Sequence, residues 1–350
     1  MRFELSEDQA LLRSSTRDFC QRELPIDKTR VVMEQSKDGY EPGMWRSFAD
    51  MGYLGLLLPE SVGGQALGAI ELAVVMEEMG RVCVPGPYLD AVLAAAVLAT
   101  AGGREELLAD VVAGRKLVIL AREDSPYCGN HTEPTRFADG RVRGTKYFVP
   151  FGARADALLV TTSDGLVLVD APGGTTPLET IDQGQRFATV TLDHPATFVG
   201  PLSLLDRVDH IGAVGAAAML LGVMDRSLEI TLDYVRTREA FGRAIGAFQV
   251  LQHRMADMLL RAESSRSAVY RGAWCCDTRD AETALACASA KAYAGDAARY
   301  VCGQAIQLHG GIGFTWELDL HFFFKRAKTL EQRYGSTEAQ FENALVAAGY

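Results

Sequence analysis

The chain has 350 residues, room for two or three structural units at about 150 residues each, and 48% of them are apolar against 23% charged, which excludes a disordered protein. Lys and Arg number 35 against 45 Asp and Glu, a formal charge of -10 that opposes a nonspecific grip on nucleic acid or on an anionic membrane surface. The longest uncharged apolar runs, Ala91–Gly103 and Ile211–Met224, fall short of the roughly 18 residues that a bilayer-spanning helix needs, so no membrane span is expected.

Up to about residue 115 the pattern is helical. Ser6 and Gln9 have the spacing of a capping box, Leu12, Phe19 and Leu24 follow at near-helical intervals, and Pro25 ends the run. Leu58–Gly64 and Val84–Pro87 read as interhelical loops on either side of an apolar-periodic stretch from Ala69 to Met79. The N-terminal stretch, Met1 to Asp8, is acidic and lacks the apolar core of a signal peptide, so the expectation is a cytoplasmic protein. The seven cysteines fit that expectation, because their number is odd and, apart from Cys275–Cys276, they are scattered (Cys20, Cys83, Cys128, Cys287, Cys302). They read as reduced core thiols, with neither a metal site nor a disulfide framework.

From Lys116 to about Leu205 the period shortens to strand-like runs: Lys116–Ala121, Arg141–Val149, Ala157–Thr161, Leu166–Val169 and Phe187–Leu192. Asp139–Gly140 and Asp164–Gly165 supply the positive φ of tight hairpins and Ala171–Gly174 is a further break, so an antiparallel, meandering sheet is expected. Beyond Asp206 three long helices are predicted at roughly 206–236, 246–276 and 281–308, the last stopped by Gly310 and Gly311, and together they imply a bundle. The division is an all-α part over 1–115, a β part over 116–205 and a helical bundle over 206–350.

Two segments carry candidate chemistry. Arg238-Glu239-Ala240-Phe241-Gly242-Arg243-Ala244-Ile245-Gly246-Ala247-Phe248-Gln249 lies between two long helices. Read without a ligand it is a helix-loop-helix corner, in which glycines make the turn, Phe241 and Phe248 fill the core, and an Arg beside a Glu is a solvated pair. The second segment is Gln307–Glu317, where Gly310-Gly311 is either an ordinary helix C-cap or a place for backbone N–H groups to approach a phosphate closely.

Taken together, these residues resemble the acyl-CoA dehydrogenase family, whose members share an Arg-x-x-Phe-Gly…Gln corner and a later Gln-x-x-Gly-Gly-x-Gly-[Phe/Tyr]-x-x-Glu stretch. Gly52-Tyr53-Leu54-Gly55, Pro59-Glu60, Gly63-Gly64 and Glu77-Glu78-Met79-Gly80 look like the family's helical-domain signature, so the resemblance covers nearly the whole chain. It implies the family's fold: an N-terminal helical domain, a middle antiparallel β domain, and a C-terminal helical domain of the four-helix-bundle type. It implies the family's reaction too, in which a Glu removes the α-proton of an acyl-CoA thioester while the β-carbon passes hydride to FAD, leaving a 2,3-enoyl-CoA. By this resemblance Arg238 pairs with the FAD pyrophosphate and Phe241 and Gln249 pack on or hydrogen-bond the cofactor. Gln307, Gly310 and Gly311 line its adenosine-diphosphate end, and the flavin so served is a neighbouring subunit's.

The half of the site that would serve the chain's own flavin departs from the family. Where a Thr-Glu-Pro-x-x-Gly-Ser loop belongs the chain reads Ala121-Arg122-Glu123-Asp124-Ser125-Pro126, and the family's Lys-x-Trp-Ile-[Ser/Thr] strand reads Lys146-Tyr147-Phe148-Val149-Pro150. Pro150 replaces a hydroxyl and has no hydrogen to donate. Thr132-Glu133-Pro134 copies part of the loop, out of place and without Gly-Ser, and is read as coincidence. The catalytic Glu is missing from both of the family's positions: Tyr334, in Arg333-Tyr334-Gly335-Ser336-Thr337-Glu338, holds one and Gly212 the other. Tyrosine, with an unperturbed pKa of about 10, is a poor base for this task. Asp209, His210 and Glu331 lie near these positions but out of register, and Glu338 matches a family Glu that is not the base.

Keeping the contacts to a neighbour's flavin while losing the base and the chain's own flavin contacts fits a division of labour. Some family members, notably in actinobacterial steroid side-chain degradation, are α2β2 heterotetramers. The resemblance therefore implies a partner-type subunit that completes the FAD site of a homologous catalytic subunit, with the acyl-CoA, a bulky steroid-CoA by expectation, bound mainly by that partner. Phe314–His321 has the character of such partner chains. The alternatives are a self-sufficient homotetrameric dehydrogenase using Asp209, His210 or Glu331 as base, and a catalytically dead scaffold that binds no flavin. His131, His194 and His253 read as ordinary residues, His309 as stabilising a helix C-terminus, and Trp274, Trp316 and Phe322-Phe323-Phe324 as packing or subunit interface.

Overall fold

The structure, a computed structural model, describes residues 4–126 and 133–350. Cys128, His131 and Thr132 lie outside the described residues. Six helices come first: α1 (Glu7–Glu23), α2 (Ile26–Gln35), α3 (Pro42–Asp50), α4 (Ala69–Arg81), α5 (Tyr88–Ala101) and α6 (Glu105–Val112). Eight strands follow: β1 (Val118–Ala121), β2 (Arg136–Ala138), β3 (Arg141–Pro150), β4 (Ala157–Thr162), β5 (Gly165–Asp170), β6 (Thr175–Leu178), β7 (Phe187–Pro195) and β8 (Thr197–Gly200). Then come α7 (Asp206–Thr237), a two-residue ribbon of β9 (Glu239–Ala240) and β10 (Arg243–Ala244), α8 (Gln249–Thr278), α9 (Thr283–His309), α10 (Leu320–Gln332) and α11 (Thr337–Ala347).

The described chain forms two compact units. One gathers the described residues up to Arg30, Gly68–Val84 and Ala213–Tyr350, and is helical. Its α1 starts as the capping box predicts: Gln9 N donates to Ser6 Oγ at 3.2 Å and Ser6 N to Gln9 Oε1 at 3.0 Å. The start of α4 is capped from far along the chain, because the Asp277 carboxylate accepts from Ala69 N at 2.6 Å and Ile70 N at 3.0 Å. Buried Glu77 and Glu78 bind α4 to its neighbours. Arg17 of α1 chelates Glu78 through Nε and Nη2 at 2.8 and 2.7 Å, and Tyr270 of α8 donates to Glu77 at 2.7 Å. Down α9 the buried positions are mostly alanines, including Ala290, Ala294, Ala297 and Ala298, which lets neighbouring helices lie close. The most apolar 18-residue window in the segment Leu202–Thr237 is 89% buried within the fold, the state of a core helix.

The other unit gathers Val31–Leu67 and Pro85–Gly212. Its strands form two four-stranded sheets, ordered β1-β4-β5-β8 and β2-β3-β7-β6. The expected single meander is corrected on two points. The chain leaves β1, builds β2 and β3 in the other sheet, and returns at β4, so β1 and β4 pair parallel, Val118 opposite Ala157; the remaining strand pairs in both sheets are antiparallel. The strands β2, β6 and β8 join those read from the periodicity. Asp139 and Gly140 turn β2 into β3 with φ of 53° and 72°, the left-handed pair a two-residue hairpin needs. The α-helical side of this unit is held by edge-to-face aromatics, Phe48 against Tyr53 and Tyr88 with centroids 6.2 and 5.8 Å apart.

Candidate functional site

The first candidate segment begins where α7 stops. Arg238 N still donates to Tyr234 O at 2.8 Å, and the chain then folds into the β9–β10 ribbon with Ala240 opposite Arg243. The loop of that ribbon is Phe241-Gly242, at φ of 54° and 78°. A left-handed Phe is costly, yet its ring is 94% exposed and does not fill the core as the ligand-free reading expects. Its one aromatic neighbour among the described residues is Phe248, edge-on at 6.1 Å, which is itself covered by Arg243 at 4.2 Å. Gly246 is required by crowding, since a β-carbon there would sit 2.9 Å from Val235 O. Gln249 opens α8 and is exposed. Among the described residues the side chains of Arg238, Gln249 and Gln307 have no hydrogen-bond or ion-pair partner.

The second segment closes α9. Gly310 turns at φ 63°, Gly310–Phe314 makes a short 3₁₀ turn, and a β-carbon on Gly310, Gly311 or Gly242 would meet nothing within 4 Å. Crowding therefore does not require Gly311, whereas a β-carbon on Gly313 would press on the Ile306 carbonyl and lie 3.0 Å from His309 Cβ. The two segments share one end of the α7–α9 helices: Arg254 near the start of α8 donates to Gln304 near the end of α9 at 3.1 Å. All six cofactor candidates, Arg238, Phe241, Gln249, Gln307, Gly310 and Gly311, are exposed there. Beyond them Trp316 stacks on His321 at 4.3 Å under Lys325, while Phe322 and Phe323 are buried as packing.

The candidate acids are held differently. Asp209, in the first turn of α7, is chelated by Arg122, with Nη2 to Oδ2 at 2.7 Å and Nη1 to Oδ1 closer. Glu331 is buried, with Lys328 Nζ at 2.6 Å and Arg299 Nε at 3.6 Å from its oxygens. Glu338 is exposed at the N-terminus of α11, where its own backbone N–H and the Ser336 hydroxyl hold its carboxyl below the usual range. Tyr334 follows α10 with a left-handed φ of 56°, and its carbonyl accepts from Gln340 Nε2 at 2.6 Å. Gly212 is buried in α7. Neither of these two positions carries a carboxylate.

Two buried lysines complete the picture: Lys146, the first residue of the family-like strand, and Lys291, which the sequence does not single out. Lys146, fully buried on β3, donates to Arg122 O and Thr161 Oγ1 at 2.8 Å each and pairs with Asp124 at 2.7 Å. Burial pulls its pKa down against the pull of Asp124. The segment that follows β1, Arg122 to Asp124, is thus sewn to β3 by the chain's own groups, with Tyr147 N donating to Glu123 O at 2.8 Å as well. Lys291, inside the alanine run of α9, donates to Glu331 O and Gly335 O at 3.1 and 2.9 Å, which fixes the turn that carries Tyr334. Burial lowers its pKa to about 8. Their sequence signal is faint: Lys291 is one lysine in an alanine-rich run, and Lys146 opens the family-like strand without marking its burial. The six described cysteines are buried and form no disulfide among the described residues, and burial pushes the Cys20 and Cys302 thiols up to about 12.

Comparison with known proteins gives a consistent family. The model described as "Acyl-CoA dehydrogenase, N-terminal domain" matches residues 6–114, and "Acyl-CoA dehydrogenase, C-terminal domain" matches residues 210–348. The chain is similar to acyl-CoA dehydrogenase IpdE2 of Mycolicibacterium smegmatis, 31% identical over 337 residues that cover 96% of this chain and 97% of the relative. Acyl-CoA dehydrogenase FadE27 of Mycobacterium tuberculosis is 28% identical over 345 residues, 88% of each chain. Among solved structures, a variant of the Tcur3481-Tcur3483 steroid ACAD superposes with a TM-score of 0.89 at 29% identity, over 98% of both chains. The ChsE4-ChsE5 complex from Mycobacterium tuberculosis gives 0.88 at 25% identity, over 99% of both.

Proposed function

The chain belongs to the acyl-CoA dehydrogenase family, and from that premise we propose that it is the partner-type subunit of a heteromeric acyl-CoA dehydrogenase, completing a catalytic subunit's FAD site and lacking a catalytic Glu of its own. One contrast carries the reading. Arg238, Gln249 and Gln307 stand exposed with unspent polar groups at the same end of the helices as an open glycine turn, while Asp209 and Glu331, the acids nearest the family's base positions, are spent on the chain's own cations. A dehydrogenase base needs a carboxylate that faces the substrate's α-carbon, and the oxygens of these two face Arg122, Lys328 and Arg299 instead.

The residues fit the end of a dinucleotide that carries phosphate. Arg238 brings a planar, permanently charged donor for the pyrophosphate, and the room above Gly310 and Gly311 lets backbone N–H groups come close to it. Gln249 and Gln307 add neutral donors, and the outward Phe241 offers an apolar face. FAD, when bound, supplies the acceptor for the β-hydride of the acyl thioester. This chain's own contribution is to bind and orient from outside the catalytic subunit. The opposite half does not fit as well: Lys146, Asp124 and the Arg122 carbonyl satisfy one another, and Pro150 donates nothing.

Relatives named as a steroid ACAD and as a two-component complex support an acyl-CoA with a bulky steroid acyl group and a homologous partner subunit in an α2β2 assembly. The division into 1–115, 116–205 and 206–350 is kept in this proposal, the candidate cofactor residues all belonging to the last part. The test is to produce the chain alone and together with a catalytic homologue and to measure FAD per chain from the absorbance of the purified species. A colourless chain that yields a stable complex with one FAD per two chains supports the reading. A yellow homotetramer with one FAD per chain that turns over an acyl-CoA overturns it.

A further inference from the structure

Where the two segments meet the helices lies a pair of residues that the cofactor reading does not use. Tyr234 is in the last turn of α7, and its backbone carbonyl receives Arg238 N at 2.8 Å. Its ring lies on the imidazole of His309 with centroids 4.2 Å apart and planes 26° from parallel, and its hydroxyl reaches His309 O at 3.4 Å. His309 is the last residue of α9, 3% exposed, with Nδ1 2.7 Å from Ala305 O. A carbonyl only accepts, so Nδ1 carries the proton. Nε2, buried and without a hydrogen-bond partner among the described residues, is left as the lone-pair nitrogen of a neutral ring. Gly310 and Gly311 follow directly.

One residue therefore touches both segments, the Arg238 corner through its main-chain carbonyl and the glycine turn through its ring on His309. We propose that Tyr234 and His309 are positioning residues, a stacked brace that sets the spacing between Arg238 and the Gly310-Gly311 turn. The inference rests on the reading that those segments hold a flavin nucleotide. Neither ring contacts the cofactor in this scheme. The physical need is plain: the glycine turn has open space around it and no side chain to pin it, and a binding surface that is ordered beforehand loses less freedom when its ligand arrives. The stack rather than the long 3.4 Å hydroxyl contact bears the load, so the aromatic plane matters more than the oxygen.

Two measurements on the variants Tyr234→Phe and Tyr234→Leu test this. Hydrogen exchange on the chain alone needs no flavin. With Tyr234→Leu the amides of 238–246 and of 310–315 are expected to exchange together about tenfold faster, and Tyr234→Phe restores both to the wild-type rate. Acceleration in only one segment, or equal acceleration with Tyr234→Phe, overturns the brace. The second measurement is the FAD dissociation constant of the complex with the catalytic subunit, expected to rise about tenfold with Tyr234→Leu and to stay within about twofold with Tyr234→Phe. An unchanged constant in a variant whose exchange has risen overturns the positioning role. A wild-type complex that takes up no FAD at all overturns the cofactor reading instead, and the exchange result then stands apart from it.

Discussion

Gly80 of α4 and Gly222 of α7 face each other where their helices cross, so close that a β-carbon on Gly80 would lie 3.2 Å from the Cα of Gly222. A β-carbon on Gly222 would press on the Glu77 carbonyl and come within 2.9 Å of Arg81 N. On its other sides α4 presents buried Glu77 and Glu78 to Arg17 of α1 and to Arg266 and Tyr270 of α8.

Gly222→Ala is therefore expected to lower stability by about 1–3 kcal/mol through overpacking, more than the gain of about 1 kcal/mol that alanine brings to a helix interior. Urea denaturation followed by helical circular dichroism measures it. An unchanged or higher midpoint would show that the helices part at little cost.

Asp209→Asn separates the partner-subunit reading from a self-sufficient enzyme. A general base replaced by an amide costs about 10²–10⁴-fold in rate. With Arg122 as its established partner, Asp209 is expected to contribute only about 0–1 kcal/mol of stability through a pair that is more than a third exposed, and turnover of the complex stays within about twofold. Steady-state rates of the purified complex decide between them.

Arg238→Ala is expected to weaken FAD retention about 10–100-fold, the equivalent of one charge-assisted hydrogen bond of about 1.5–3 kcal/mol. The thermal midpoint of the chain alone stays nearly unchanged, because the side chain is exposed and unpaired among the described residues. Recovery of flavin fluorescence on dilution reads the first effect and calorimetry the second.

Lys291 gives a pH dependence with a definite sign. Its pKa falls from 10.5 to about 8 on burial, opposed by Glu331 and aided by Arg333. Between these two values the unfolded chain holds more protons than the folded one, so stability rises with pH across that window. Relative to Lys291→Met, the wild type is expected to gain stability between pH 8 and about 10. Paired urea titrations at the two pH values check it, and a difference that stays flat or reverses means the amine keeps its proton.

Much of the fold is legible from local chemistry. Ser6 and Gln9 announce α1, Pro25 its end, and Asp139-Gly140 a hairpin, because each acts within a few residues of itself. The parallel pairing of β1 with β4 is not legible, since it depends on a partner 39 residues away that the alternation of side chains does not mark. The candidate site divides in the same way. Arg238, Gln249 and Gly310 are visible as a spaced pattern, whereas the fates of Asp209 and Glu331 depend on Arg122, Lys328 and Arg299 being folded against them. The outward turn of Phe241 is invisible for a related reason: a phenylalanine in sequence reads as core, and only its left-handed backbone turns it out.

Asp277 caps the start of α4 from 208 residues downstream. During synthesis, α4 leaves the ribosome long before its cap has been translated, so its first turn must wait with open amides for the end of α8 to arrive. The early helices are thus finished only by the late ones, and a chain cut anywhere between them would keep the sequence of α4 without the carboxylate that begins it.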